Sequence, residues 1–181
     1  GSMGFPETSI GIYPGLGGTQ RLPRRVGVPL ARWLILSGAP VTANQALAMG
    51  LVDEVCPHES LFETIRKVAS KGKPNRAGSP PAAKAGFEAL EATFSGDLDT
   101  LLATDFEKIE DKGISRAVKS LRFKAPIALR KADELIQATS ENTLSDGLQS
   151  ELDGLEGIFK TKDAYEGLST LGKSRPQYKG E

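Results

Sequence analysis

The chain has 181 residues, 39% hydrophobic and 25% charged, with 23 Lys and Arg balanced by 23 Asp and Glu. This suits one globular domain with its own core. It offers no apolar run long enough for a membrane helix, and no basic excess for nucleic acid or a membrane surface. A single cysteine, Cys56, and a single histidine, His58, build neither a disulfide framework nor a zinc site, so no metal is expected and the composition points to the cytoplasm.

Gly1, Ser2 and Met3 read as an expression scar and are set aside from fold reasoning. Phe5 to Gly27, FPETSIGIYPGLGGTQRLPRRVG, follows as a shaped loop. Pro6, Pro14 and the pair Gly17-Gly18 punctuate it, and Ile10, Ile12 and Tyr13 alternate briefly as in a short strand. A helix is expected to start near Leu16 to Thr19. Leu30, Trp33, Leu34 and Leu36 make an apolar stripe on a second helix, and Thr42 caps a third that carries Ala46 and Leu47 and stops at Gly50.

LVDEVCP, residues 51–57, suits a short buried strand or extended segment. Ser60 with Glu63 forms a capping-box signature ahead of Leu61, Ile65 and Val68. Residues 72–83 have linker composition. Beyond them FEALEATF and DLDTLLATDFEKIEDKG are modest helical patterns. Two stronger stripes follow, Leu121, Ala125, Ala128, Leu129, Ala132 and Ile136, then Leu144, Leu148, Leu152, Leu155 and Phe159, with Ala164, Leu168 and Leu171 last. The chain therefore reads as mainly α with a short β remnant, and several stripes need partners outside their own helix.

The glycine loop fits neither common phosphate motif. After Gly15 and Gly17 a dinucleotide fingerprint requires a third glycine where Gln20 stands, and no Gly-Lys-Ser/Thr closes a P-loop. What remains is a tight turn at Pro14-Gly15 feeding a helix whose exposed N–H groups would favour a developing negative charge or a polarised water close to Glu7. Asp53 and Glu54 are adjacent on an extended segment and face opposite ways, so they are no carboxylate dyad. His58 reads as a polar turn residue and Cys56 as a boundary residue. Arg21, Arg24 and Arg25 read as solvated or subunit-bridging charges.

PETSIGIYPGLGGTQRLPRRVG closely resembles the signature of the enoyl-CoA hydratase/isomerase (crotonase) superfamily, P-E-x-x-x-G-x-x-P-G-x-G-G-T-Q-R-L. LSGAPVTANQALAMGLVDEVCP, KAPIALRKADELI and DAYEGLSTLGKSRPQY are similar to later segments of the same family. The resemblance implies the carboxy-terminal portion of a crotonase-like ββα spiral. Residues 4–72 would be the last part of the core, 73–117 an insertion, and 118–181 a helical oligomerisation region. Roughly another hundred residues would precede the signature in family members, within ordinary domain size.

The same resemblance implies a substrate and roles. The substrate is an acyl-CoA thioester, and the reaction the hydration of a 2-enoyl-CoA, as in fatty-acid β-oxidation. Coenzyme A is part of the substrate, so no separate cofactor is implied. Glu7 aligns with the glutamate assigned to proton delivery at C2, and Gly15 with a glycine whose N–H helps position the water. Lys173 and Arg175 align with a basic segment near the nucleotide end of coenzyme A. The oxyanion donors and the second glutamate would lie outside this chain, which alone is expected to be inactive. Isomerase and acyl-CoA hydrolase members share parts of the signature, and a non-catalytic helical oligomerisation module is the reading from another class. The implied assembly is a homo-oligomer, dimer or trimer, and the parent resembles members fused to a 3-hydroxyacyl-CoA dehydrogenase.

Overall fold

The computed structural model describes residues 1–72 and 85–181. Apart from Gly72, the expected linker at 72–83 lies outside these residues. Two short strands, β1 (Ser2–Met3) and β2 (Val41–Thr42), pair antiparallel with Ser2 opposite Thr42 and Met3 opposite Val41. The only sheet among the described residues thus uses two of the three residues set aside as a scar. The strand expected over Ile10, Ile12 and Tyr13 is absent. Glu7–Ile10 is a 3-10 turn, ended by Gly11 at φ +83°, and Tyr13 beyond it turns into the core, 1% exposed.

Two helices follow, α1 (Gly18–Val26) and α2 (Val28–Ser37), separated by Gly27. Every residue of α2 from Leu30 to Ser37 is buried, Arg32 and Ser37 included, so the expected stripe is in fact a whole circumference. A helix apolar on all sides belongs in the middle of a fold. Around α2 are packed α1, α5 (Glu88–Phe94), α7 (Lys112–Leu121) and α8 (Pro126–Gln137).

Thr42 caps α3 (Ala43–Ala48) as expected, its side chain accepting from the Gln45 N–H while Gln45 Oε1 accepts from the Thr42 N–H at 2.9 Å. Residues 51–53 form a bend and 54–57 are irregular, with Val55 38% exposed, so the buried strand expected there is not formed. Nor is the Ser60–Glu63 capping box. A 3-10 turn at His58–Ser60 leads into α4 (Leu61–Ser70), and the Ser60 hydroxyl donates backward to the Pro57 carbonyl. Pro57 and the tight turn take the hydroxyl before the helix can use it.

In the remainder, α6 (Leu98–Ala103) starts from an Asp97 cap, and α9 (Leu144–Asp153), α10 (Leu155–Phe159) and α11 (Lys162–Thr170) complete the chain. The core is continuous: Phe87, Phe94, Leu101 and Ile114 share one buried cluster with Leu30, Leu34, Leu129 and Ile136. The stripe from Leu121 to Ile136 is therefore satisfied inside the chain. The second stripe is largely not, since Leu144, Leu152 and Phe159 are 41%, 59% and 51% exposed.

One ion pair crosses this core. Arg32, fully buried, donates through Nε to Asp133 Oδ1 at 2.6 Å and through Nη1 to the carbonyls of Phe94 and Gly96, which joins α2 to α8 and to the α5–α6 link. Burial pushes the Asp133 carboxyl up, and the Arg32 charge pulls it part of the way back.

Candidate active site

The Glu7 turn is held from three directions. The buried Thr8 hydroxyl donates to the carbonyls of Ile35 and Leu36 at the end of α2, at 3.2 and 3.3 Å, and the Ala125 N–H donates to the Thr8 carbonyl at 3.2 Å. Two contacts reach Ser9: Lys124 Nζ donates to its hydroxyl at 2.5 Å, and the Tyr178 hydroxyl to its carbonyl at 2.5 Å. Gly11 donates to the Glu7 carbonyl. The main chain that carries Glu7 is thus tied to the end of α2, to the start of α8 and to Tyr178.

Its side chain is the opposite case. Glu7 is half-buried, and its Oε2 is out of water with no hydrogen-bond partner. Burial raises the carboxyl above its usual 4.5, opposed by a smaller backbone hydrogen-bond contribution. An unpaired carboxyl oxygen on a fixed backbone suits a group that gives and takes a proton.

Glu7→Gln is therefore expected to stabilise the fold at neutral pH, by roughly 1 kcal/mol, by removing a poorly solvated charge. The folded carboxyl has the higher pKa, so the folded state binds more protons than the unfolded one between the two values, and wild-type stability falls as pH rises through the folded value. The advantage of Glu7→Gln should vanish below pH 4.5, where the carboxyl is protonated in both states. Urea unfolding of both proteins across this range checks it, and a constant difference would contradict it.

At Gly15 the main chain passes close against α10, since a Cβ there would lie 2.5 Å from Leu155 Cδ2. The helix start beyond it corrects the sequence reading. Two of its N–H groups, those of Gly17 and Thr19, are not open to a developing charge, because Glu151 of α9, 2% exposed, takes them. Gly17 N–H donates to Glu151 Oε1 at 2.5 Å, and the Thr19 N–H and hydroxyl donate to Oε2 at 3.1 and 2.5 Å. Tyr13 closes the arrangement by donating to the Glu151 carbonyl at 2.7 Å. The positive end of α1 is thus matched by the protein's own carboxylate. Sequence reasoning missed Glu151, although Gly147, Glu151, Gly154 and Ile158 follow helical spacing and mark a closely packed face.

The basic residues separate. Lys173 is exposed and donates to the Ser169 carbonyl at the end of α11. Arg175 instead lies 3.9 Å over the Phe123 ring, on the wall of a cavity of about 290 Å³ shared with Arg122, Lys124 and Tyr178. The early arginines are internal tethers: Arg24 donates to the Gln20 and Asn142 carbonyls, and Arg25 pairs with Asp53 at 2.9 Å. Glu54 meets Lys67 at 3.2 Å, so the neighbouring carboxylates part as expected. Leu16 stands 99% exposed at the tip of the glycine loop. Among the described residues no acidic, histidine or cysteine group could hold a metal, and no helix is long and apolar enough to cross a membrane.

The family model for enoyl-CoA hydratase/isomerase matches residues 1–107, which include the Glu7 turn, the glycine loop and the central helix. The chain belongs to the enoyl-CoA hydratase/isomerase family. A carnitinyl-CoA dehydratase from Mycobacterium thermoresistibile superposes with a TM-score of 0.76 at 27% identity, covering 98% of this chain and 54% of that one. An enoyl-CoA hydratase from Rhodobacter sphaeroides 2.4.1 gives 0.76 at 24% identity, covering 99% and 55%, a likeness of fold. The fold is the mainly helical part of a crotonase fold, and the chain spans about half the length of these solved structures.

Proposed function

We propose that this chain is the carboxy-terminal part of a hydratase acting on 2-enoyl-CoA thioesters, in which Glu7 carries the proton to and from C2 and the Gly15 N–H helps position the water. The observation that supports it is the Glu7 carboxyl, raised by burial and with one oxygen unpaired, on a turn fixed at Thr8 and Ser9. A carboxyl lifted toward working pH serves as acid and base in turn. The donors that would hold the thioester oxyanion, and a second glutamate, belong on this reading to an amino-terminal part. Arg175, with Lys173 at the rim, would approach the nucleotide end of coenzyme A. The chemistry requires no further cofactor, and a dehydrogenase fused in the parent would use the hydrated product.

The chain alone is then expected to give no crotonyl-CoA hydration above buffer, since loss of one oxyanion donor already costs about a hundred- to a thousandfold. Joined to an amino-terminal ββα spiral, it should hydrate crotonyl-CoA, and Glu7→Gln should lower kcat by about a hundredfold or more with little change in KM. Unchanged turnover in Glu7→Gln would make Glu7 a structural residue, and no hydration by the joined protein would favour the isomerase or hydrolase reading.

A second reading, a helical oligomerisation module, is favoured by the exposed Leu144, Leu152 and Phe159. Burying such side chains between copies yields roughly 25 cal/mol per Å². Sedimentation at tens of micromolar is expected to show a dimer or trimer that Leu152→Glu weakens; a strict monomer would remove this reading.

A further inference from the structure

Among the described residues Lys124 has no counter-ion. Its Nζ is directed at a hydroxyl, that of Ser9 at 2.5 Å, and none of the ion pairs among the described residues includes it. The charged groups that share its cavity, Arg122 and Arg175, are themselves cations, and Tyr178 completes that wall. On the other side Gly38 leaves room: a Cβ there would lie 3.0 Å from Nζ and 3.5 Å from Ser9 Oγ. Burial also lowers the ammonium pKa, in the direction that makes a lysine amine nucleophilic near neutral pH. Lys124 is half-buried, its amine is fixed by a hydroxyl with no carboxylate partner among the described residues, and its side chain lines a cavity of about 290 Å³, unlike the lysines on the surface.

We propose that Lys124 is an acylation site, whose amine attacks the carbonyl of acyl thioesters. The Nζ lone pair forms the C–N bond, the C–S bond breaks, and the departing thiolate takes the proton released from nitrogen. An amide and a free thiol result, with no oxidant or reductant required. The Ser9 hydroxyl acts as a positioning group that accepts from Nζ and keeps the amine at the cavity wall. The inference borrows from the proposed function only the class of thioester donor. Loss of the Glu7 role would leave it standing, and an unmodified Lys124 would leave Glu7 untouched.

The test uses the chain as it exists. It is incubated with acetyl-CoA at mildly alkaline pH, and initial acetylation rates are read lysine by lysine from tryptic peptides. Lys124 is expected to react at least several-fold faster than the exposed Lys112, Lys119 and Lys179, and that preference should disappear when the chain is unfolded in urea. A rate for Lys124 equal to or below the exposed lysines would overturn the proposal, as would a preference that survives unfolding.

Discussion

Glu151→Ala should lower the unfolding free energy by about 4 kcal/mol. The substitution removes a carboxylate that satisfies three donors, Gly17 N–H, Thr19 N–H and the Thr19 hydroxyl, in a place water does not reach. Hydrogen bonds to a charged group contribute about 1.5 to 3 kcal/mol, and each stranded buried donor costs about 1 to 3 kcal/mol. Against that stands relief from desolvating the carboxylate, so the net falls below the simple sum. The Gly17 and Thr19 amides should also exchange with solvent much faster in Glu151→Ala than the amides of α8, because the cap is lost locally. Denaturant melts and amide exchange read the two effects. A loss under 1 kcal/mol would mean that water enters and replaces the carboxylate.

Gly11→Ala should cost a similar amount, about 4 kcal/mol, for a different reason. Gly11 sits at φ +83°, and its Cα faces the first turn of α11 so closely that a Cβ would fall 2.6 Å from Ala164 Cα and also against the Asp163 carbonyl. Those are main-chain atoms, with no side chain to swing away. Left-handed backbone costs an alanine about 1 kcal/mol, and forcing main chains apart adds about 1 to 3 kcal/mol or more. The Glu7 turn would shift with α11. Thermal unfolding checks the prediction, and a change under 1 kcal/mol would show that α11 moves away without loss.

What the sequence conveyed and what it withheld divide by how local the cause is. Thr42 as a cap, the helix start near Gly18, and the stripe from Leu121 to Ile136 were legible because each depends on spacing within one element. Ser60 and residues 51–57 misled because Pro57 and tight turns override short-range patterns. The Glu7 loop was legible as a motif, but its surroundings were not. Thr8 and Ile35, Ser9 and Tyr178, and Gly17 and Glu151 are joined only by the fold. Glu151 in particular reads as one more solvated acid on a leucine-rich helix, until the glycines at 147 and 154 are seen to bring its face against the loop.

The hydroxyl of Tyr178 on the carbonyl of Ser9 ties together residues 169 positions apart, and the N–H groups of Lys179 and Gly180 secure that tail on the buried carboxylate of Asp163. A ribosome makes Ser9 well before Tyr178. The central helix and its neighbours can pack while the chain is still growing, but the turn that presents Glu7 stays partly untethered until residues near 180 have emerged. The contact that completes the Glu7 turn thus forms only after 169 further residues have followed Ser9.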